Sequence, residues 1–195
     1  MDVVLASSNA GKLRELAALL EPFGWHLIPQ DALGIAPARE TGATFLENAL
    51  LKARHASAAA ARPALADDSG IEVDALDGRP GVLSARYAGD AASDRQNLDQ
   101  LLAELSGTPV ERRGARYRCV LAYVRSAADG IPIIAEAEWR GRILTAPRGR
   151  GGFGYDPVFL PDGLERSAAE LAPAEKDALS HRGQALSLLL SRLRA

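Results

Sequence analysis

Two adjacent carboxylates, Asp67 and Asp68, follow the apolar residues PALA and precede Ser69 and Gly70. Neighbouring acids repel each other, and burying them without compensation costs on the order of several kcal/mol. Exposure to solvent or a bound cation removes that cost. Mg²⁺ is a suitable cation because it prefers carboxylate oxygens and bridges them to substrate phosphates, and ligands commonly bind at the carboxyl ends of strands. The pair therefore predicts either an exposed acidic turn or a magnesium site at a strand end.

The segment SSNAGK, residues 7–12, joins a predicted strand to a predicted helix. A helix N-terminus presents unpaired N–H groups and a partial positive charge. Gly11 allows close approach of the backbone and Lys12 adds a full charge, so a phosphate group fits here. The alternative is an Asn or Ser helix cap beside an incidental lysine. The segment lacks the GxxxxGK[ST] pattern of a Walker A loop, which weighs against a nucleoside-phosphate kinase.

A third set of polar residues belongs to the predicted helix that contains TFLENALLKA. Thr44 and Glu47 have the spacing of a capping box, which gives Glu47 a structural explanation. Asn48 and Lys52 lie one turn apart on the same helical face and can point together into a cleft. Glu40 precedes them in a turn-like segment, where a solvated acid is the ordinary interpretation.

Glycines and aromatic residues combine in RGGFGYDPVF, residues 150–159. The glycines allow a tight backbone path, and Phe153 and Tyr155 offer planar faces on which a base can stack. Asp156 before Pro157 favours a turn. A structural hairpin with aromatic packing explains the same pattern equally well.

Positive charge gathers ahead of the last predicted helix, where EKDALSHRGQA contains Lys176, His181 and Arg182. A His-Arg pair beside Ser180 and Gly183 suits recognition of a carbonyl-bearing ring or a phosphate. The alternative is a structural histidine.

Strand-like and helix-like segments interleave along the chain, which is typical of the α/β class. Leucines at helical spacing mark the helices, and short apolar or alternating runs mark the strands. The predicted strands are residues 2–6, 25–30, 63–70, 71–76, 115–126 and 131–144, and the predicted helices are residues 12–24, 42–62, 90–106 and 181–195.

Composition limits the class of protein. Of 195 residues, 47% are hydrophobic, enough for one compact domain over residues 1–195. The net charge of −2 predicts no nucleic-acid partner and no membrane partner. The single cysteine, Cys119, lies in an apolar run and is expected to be a buried, inert thiol. No apolar run approaches a span of about 20 residues, and the start of the chain has no secretion signal, so we expect a cytoplasmic protein.

The order of these motifs resembles that of one family. SSNAGK, TFLENALLKA, ADDSGIEVDALDGRPGVLSARYAG, GGFGYDPVF and EKDALSHRGQAL follow each other as in the inosine triphosphate pyrophosphatase family, and the likeness runs from residue 3 to about residue 193. The resemblance implies an elongated mixed β-sheet flanked by helices, in two lobes with a central nucleotide cleft. It also implies a magnesium-dependent homodimer that cleaves dITP, ITP and XTP to the nucleoside monophosphate and pyrophosphate.

The resemblance further implies roles for individual residues. Asp68 matches the proton acceptor and metal ligand, with Asp67 and Lys52 as catalytic partners and Glu40 as a second metal ligand. Which aspartate is the base stays open, because neighbouring acids that share a cation titrate together. For the triphosphate, the resemblance implies contacts with Ser7, Ser8, Asn9, Ala10, Gly11 and Lys12, and it implies a further substrate contact with Ser69. The residues that it implies for the nucleoside pocket are Phe153, Gly154, Tyr155 and Asp156. Those that it implies for recognition of the base or a phosphate are Lys176, His181 and Arg182.

A nucleotide-binding module without catalytic activity could use the same loops. Such a module would bind ITP without releasing pyrophosphate. The presence of both aspartates together with Lys12 and Lys52 argues against a decayed site.

Overall fold

The computed structural model describes residues 1–7 and 9–194, so that Ser8, a predicted triphosphate contact, lies outside the described residues. All four predicted helices are present, with slightly different ends, and the strand Phe159–Pro161 and the helix Pro173–Leu179 were not predicted. The strands are β1 (Asp2–Leu5), β2 (His26–Pro29), β3 (Ala64–Val73), β4 (Gly114–Val124), β5 (Ile133–Ile143) and β6 (Phe159–Pro161). The helices are α1 (Ala10–Leu20), α2 (Phe45–Ala60), α3 (Asp94–Glu104), α4 (Pro173–Leu179) and α5 (His181–Arg194).

The strands form one six-stranded sheet in the order β2-β1-β3-β4-β5-β6. Strand β1 runs parallel to both β2 and β3, with Leu5 opposite Leu65, whereas β5 and β6 are antiparallel, with Gly141 opposite Pro161. The sheet is therefore mixed and accompanied by helices, and the predicted α/β class is confirmed.

Strand β3 differs from its prediction. The sequence predicted two strands, residues 63–70 and 71–76, with the aspartates at a strand end, but the structure has one strand of ten residues. Gly70 is needed for close packing, since a Cβ there would meet Ser84 Oγ at 2.5 Å. Asp67 and Asp68 consequently lie inside a central strand with exposed fractions of 1% and 6%, and the interpretation as an exposed acidic turn is wrong.

The described chain divides into two compact units. Unit 1 comprises Met1–Asp68, Cys119–Ala137 and Arg182–Ala195, and unit 2 comprises Ser69–Arg118 and Glu138–His181. Each unit has its own hydrophobic core. The core of unit 1 includes Val3, Leu5, Leu16, Leu20, Leu65, Cys119, Leu121, Tyr123, Leu186 and Leu189, and that of unit 2 includes Ile71, Val73, Leu98, Leu101, Leu105, Tyr117, Trp139, Ile143, Tyr155 and Phe159.

Local signals explain where the polar helices begin. The Thr44 hydroxyl accepts a hydrogen bond from the Glu47 backbone N–H, and the Glu47 carboxylate accepts from the Thr44 N–H, which confirms the predicted capping box of α2. Asn9 caps α1. None of the helices in the described part of the chain combines the length and apolar character that a bilayer crossing requires.

Candidate functional site

The loop before α1 positions a cation against the buried acids. Asn9 Oδ1 accepts hydrogen bonds from the backbone N–H groups of Gly11 and Lys12 at 2.9 and 3.0 Å, so the helix cap considered for this segment is present. Ser7 Oγ accepts from the Asn9 N–H at 3.2 Å. The Lys12 ammonium forms an ion pair with Asp67 Oδ1. The lysine is therefore not incidental to the cap.

Asp67 is surrounded by donors from three separate parts of unit 1. Besides Lys12, its carboxylate accepts from Arg182 Nε at 3.3 Å and from Cys119 Sγ at 3.1 Å. Burial by itself raises the pKa of Asp67, but the charges of Lys12 and Arg182 outweigh burial and hold that pKa well below its usual value. Asp67 is therefore held as a carboxylate, which makes it a strong anchor for cations and a poor proton acceptor.

Arg182, on the first turn of α5, is 3% exposed and directed at acids of unit 1. Its guanidinium contacts Glu15 of α1 as well as Asp67. Burial alone would lower the pKa of Arg182, but the two acids raise it, so the guanidinium keeps its charge inside the protein. Arg182 ties α1 and α5 to strand β3.

Asp68 has a different environment from its neighbour. Its Oδ1 accepts from Lys52 Nζ at 2.6 Å, and its Oδ2 is buried with no hydrogen-bond partner among residues 1–7 and 9–194. Burial raises the pKa of Asp68 above its usual value despite the opposing charges of Lys52 and Lys12. A carboxylate with a raised pKa and an unused oxygen is suited to accept a proton or to bind a cation.

Lys52 connects Asp68 to the loop that precedes α2. Its ammonium also lies 3.0 Å from Glu40 Oε1. Burial lowers the pKa of Lys52, but Asp68 and Glu40 outweigh it and raise the pKa overall. The loop is held in place by Asn48, whose Oδ1 accepts from the Gly42 N–H at 2.8 Å. Asn48 and Lys52 thus both contact the segment that precedes α2, Asn48 at Gly42 and Lys52 at Glu40.

The carboxylates of Glu40 and Asp68 are the candidate ligands for a divalent ion in unit 1. No group of three or more His, Cys, Asp and Glu side chains in the described part of the chain is arranged to hold a metal. Mg²⁺, however, commonly uses one or two carboxylates together with waters and substrate phosphates. Glu40 and Asp68 approach the same ammonium, and Asp68 Oδ2 is a buried oxygen without a partner in the described chain. These donors fit Mg²⁺ accompanied by a phosphate ligand.

These residues form the Asp67–Asp68 cluster, which comprises Lys12, Glu15, Glu40, Lys52, Asp67, Asp68, Cys119 and Arg182. All of them belong to unit 1.

A second polar cluster lies within unit 2 and is centred on Asp156, which is 3% exposed. Asp156 Oδ2 accepts from Lys176 Nζ at 2.7 Å and from the Phe153 N–H at 2.9 Å, and Oδ1 accepts from the Tyr117 hydroxyl at 3.2 Å. The Lys176 ammonium also lies 4.7 Å from the centre of the Phe153 ring. The His181 ring stacks on Tyr117 with centroids 4.6 Å apart. We call these five residues the Asp156 cluster.

The glycine-rich loop is fitted closely to this cluster. Gly152 has φ of 69°, and a Cβ there would collide with the Asp156 carboxylate. The Gly154 N–H donates to Asp94 Oδ2 at 2.8 Å. Tyr155 does not offer an open planar face, because it is buried in the core of unit 2 and its hydroxyl donates to the Ser84 carbonyl at 2.8 Å. Phe153 is half-buried, as is Ser69 on strand β3.

A sequence model of the Ham1 family matches residues 3–192. The chain belongs to the Ham1 family. The family resemblance predicted from the order of the motifs is thereby confirmed.

Relatives within the Ham1 family are similar over nearly their whole length. The dITP/XTP pyrophosphatase of Methylococcus capsulatus is 61% identical over 193 residues, which are 99% of this chain and 96% of that protein. The dITP/XTP pyrophosphatase of Erwinia tasmaniensis is 55% identical over 98% of this chain and 94% of its own. A HAM1 protein from Coxiella burnetii has a solved structure with a TM-score of 0.91, 44% identity and full coverage of both chains.

The structure adds functional candidates that the sequence did not single out. Glu15 lies one turn after Lys12 on α1 and contacts Arg182. Tyr117 and Cys119 lie two positions apart on β4. Tyr117 contacts Asp156, and Cys119 contacts Asp67. Period-two spacing on a strand places both on one face, but their partners are distant in sequence. The sequence predicted only a strand over residues 115–126 and a buried, inert Cys119.

Proposed function

We propose that this Ham1-family protein is an enzyme that hydrolyses non-canonical purine nucleoside triphosphates, namely dITP, ITP and XTP. The products are the nucleoside monophosphate and pyrophosphate, and the biological role is to remove these nucleotides before they enter DNA or RNA. One observation carries the proposal: Asp68, with one oxygen on Lys52 and the other buried without a partner in the described chain, lies in a protein 61% identical to a dITP/XTP pyrophosphatase.

The Asp67–Asp68 cluster supplies the groups that this reaction needs. Hydrolysis of a phosphoanhydride requires neutralisation of the nonbridging oxygens and an oriented water. Lys12 and Lys52 provide positive charge, and the N-terminus of α1, which is capped by Asn9, adds the partial positive charge of the helix dipole. Asp68 accepts the proton of the attacking water, and burial favours this role because it raises the pKa of Asp68 above its usual value. Asp67, which stays ionised, keeps Lys12 in place.

Magnesium is part of the proposal. Asp68 and Glu40 would hold the ion, which would supply further charge neutralisation on the phosphates when bound. The support is the chemistry of the two carboxylates and the unused oxygen of Asp68.

The Asp156 cluster is proposed to bind the purine. Hypoxanthine and xanthine carry a carbonyl group at the position where adenine carries an amine, so donors at that point favour them. An unmatched amine would cost about 1–3 kcal/mol, or roughly tenfold to a hundredfold in selectivity. We assign the stacking face to Phe153 and the donors to Lys176, which binds Asp156, and His181, which stacks on Tyr117.

We further propose that the enzyme is a homodimer and that it acts in the cytoplasm. Both follow from the family resemblance, and the cytoplasm holds the nucleotide pool on which such an enzyme would act.

The proposed activity is tested with purified protein, Mg²⁺ and each of dITP, ITP, XTP, GTP and ATP, with pyrophosphate and orthophosphate measured separately. We expect pyrophosphate and monophosphate in equal amounts from the first three substrates and little from GTP and ATP. Binding of ITP without pyrophosphate, or release of orthophosphate alone, would contradict the proposal. Chelation of the metal should abolish turnover, and light scattering should give twice the mass of the 20.6 kDa chain.

A further inference from the structure

Tyr117 occupies a special position in unit 2, on strand β4 and 8% exposed. Its ring lies parallel to the His181 imidazole, with an interplanar angle of 4° and centroids 4.6 Å apart. Its hydroxyl donates to Asp156 Oδ1 at 3.2 Å. One rigid side chain therefore contacts two members of the Asp156 cluster that lie on different segments of the chain.

The contact with His181 fixes the plane of an imidazole. A histidine ring turns about its terminal torsion with little intrinsic preference, so a parallel neighbour restricts its donor and acceptor directions. Phe159 also packs against Tyr117 in a T-shaped arrangement, with ring centroids 4.7 Å apart and an interplanar angle of 66°. Tyr117 is thereby held by the core of unit 2 and transmits that rigidity to His181.

The hydrogen bond from Tyr117 to Asp156 also affects the position of Lys176. Asp156 uses Oδ2 for both Lys176 and the Phe153 N–H, so its orientation sets where the ammonium and the aromatic ring lie. The Tyr117 hydroxyl on Oδ1 restrains rotation of that carboxylate. His181, Lys176 and Phe153 are thus all positioned, directly or through Asp156, by one tyrosine.

We infer that Tyr117 is a positioning residue that sets the purine selectivity of the enzyme by orienting His181 and the Asp156–Lys176 pair. The inference rests on the proposed function of this cluster. Tyr117 itself acts through these residues and not on the phosphates. Its loss therefore weakens discrimination between a 6-carbonyl and a 6-amine purine more than it slows the hydrolytic step.

The test compares Tyr117→Leu, which removes ring and hydroxyl, with Tyr117→Phe, which keeps the ring. The measured quantity is the ratio of kcat/KM for ITP to that for ATP. We expect the ratio to fall about tenfold in Tyr117→Leu and about threefold in Tyr117→Phe, with the loss for ITP falling mainly on KM. The matched control is Tyr123→Leu, because Tyr123 is a buried tyrosine on the same strand that packs on Trp25 in unit 1.

The control separates positioning from general loss of packing. An ITP-to-ATP ratio in Tyr117→Leu equal to that of wild type, or equal to that of Tyr123→Leu, would overturn the inference. If Tyr117→Leu does not unfold cooperatively, Tyr117→Phe is the deciding variant. An ITP-to-ATP ratio in Tyr117→Phe equal to that of wild type would likewise overturn the inference. Wild-type protein that releases no pyrophosphate from ITP would instead refute the proposed function, whereas an active wild type with insensitive Tyr117 variants would refute only the positioning role.

Discussion

Asp68 in unit 1 and Asp156 in unit 2 are both buried carboxylates that contact a lysine, at 2.6 Å from Lys52 and 2.7 Å from Lys176. They differ in how completely they are satisfied. Both oxygens of Asp156 accept hydrogen bonds, from a side-chain ammonium, a backbone N–H and a tyrosine hydroxyl. Asp68 has one oxygen on Lys52 and one without a partner in the described chain.

The difference distinguishes a group that can change its partners from a group that fixes geometry. A buried polar atom without a partner is costly, and such atoms in native proteins often mark a place where a ligand or ion binds. A fully bonded carboxylate has no comparable tendency to take a new ligand. Asp68 is accordingly suited to chemistry with a changing substrate, and Asp156 to holding a pocket of constant shape.

Asp67 shows that sequence neighbours can fall on opposite sides of this distinction. Lys12, Arg182 and Cys119 surround it, and its pKa is held low, whereas the pKa of Asp68 is raised. In its number of hydrogen-bond and ion-pair partners, Asp67 resembles Asp156 of the other unit more than it resembles Asp68. The predicted repulsion between the adjacent acids is therefore offset first by the protein's own cations.

The largest expected effect comes from removing the anchoring carboxylate of unit 1. Asp67→Ala leaves Lys12 and Arg182 with buried charge that has lost a partner, and breaking such a pair costs about 3–5 kcal/mol of unfolding free energy. Equilibrium urea unfolding measures the change. Asp99→Ala is the control, since its ion pair with Arg95 is exposed and should leave the unfolding midpoint nearly unchanged. Equal urea midpoints for Asp67→Ala and Asp99→Ala would show that Asp67 does not have this structural role.

The next effect concerns turnover. Asp68→Asn keeps the shape of the side chain but removes the proton acceptor, so pyrophosphate release from ITP should fall about a hundredfold or more. The variant should still unfold cooperatively, which far- and near-ultraviolet circular dichroism can check. Normal turnover in Asp68→Asn would exclude Asp68 from the mechanism. The proposed functional difference between Asp68 and Asp67 would then be wrong as well.

Much of the Asp67–Asp68 cluster could be predicted because its signals are local. The cap at Asn9, the capping box of α2 and the pair of aspartates each lie within a few consecutive residues. Their chain order was enough to identify the family. Local patterns therefore singled out most residues that form the ion pairs of this cluster, and their catalytic roles stay predictions.

What the sequence did not reveal depends on contacts between distant segments. Arg182 lies 115 positions from Asp67, and Tyr117 lies 39 positions from Asp156. Ser69 and Gly70 are typical of a turn, but the packing of Gly70 against Ser84 allows strand β3 to continue. Such long-range packing overrides local propensity and converts a predicted strand end into a strand interior.

Acid should weaken the protein through Asp67. A carboxyl whose folded pKa lies below its unfolded value of 3.8 contributes stability above that pH and loses the contribution as the pH falls below it. We expect the unfolding free energy to decline as the pH drops below about 4, and the decline to be shallower in Asp67→Asn. Denaturant titrations from pH 7 to pH 3 on both proteins provide the measurement, and parallel curves would show that other acids dominate.

The smallest effect tests how firmly unit 2 holds its glycine-rich loop. Burial raises the pKa of Tyr155, so its hydroxyl stays protonated and donates to the Ser84 carbonyl at 2.8 Å. Tyr155→Phe removes that bond inside the core and should cost about 1–2 kcal/mol of unfolding free energy. Tyr123→Phe is the comparison in unit 1, where the ring contact with Trp25 survives the change, and its cost should be smaller. If Tyr123→Phe lost more unfolding free energy than Tyr155→Phe, the hydrogen bond from the Tyr155 hydroxyl to Ser84 would not be what fixes this loop.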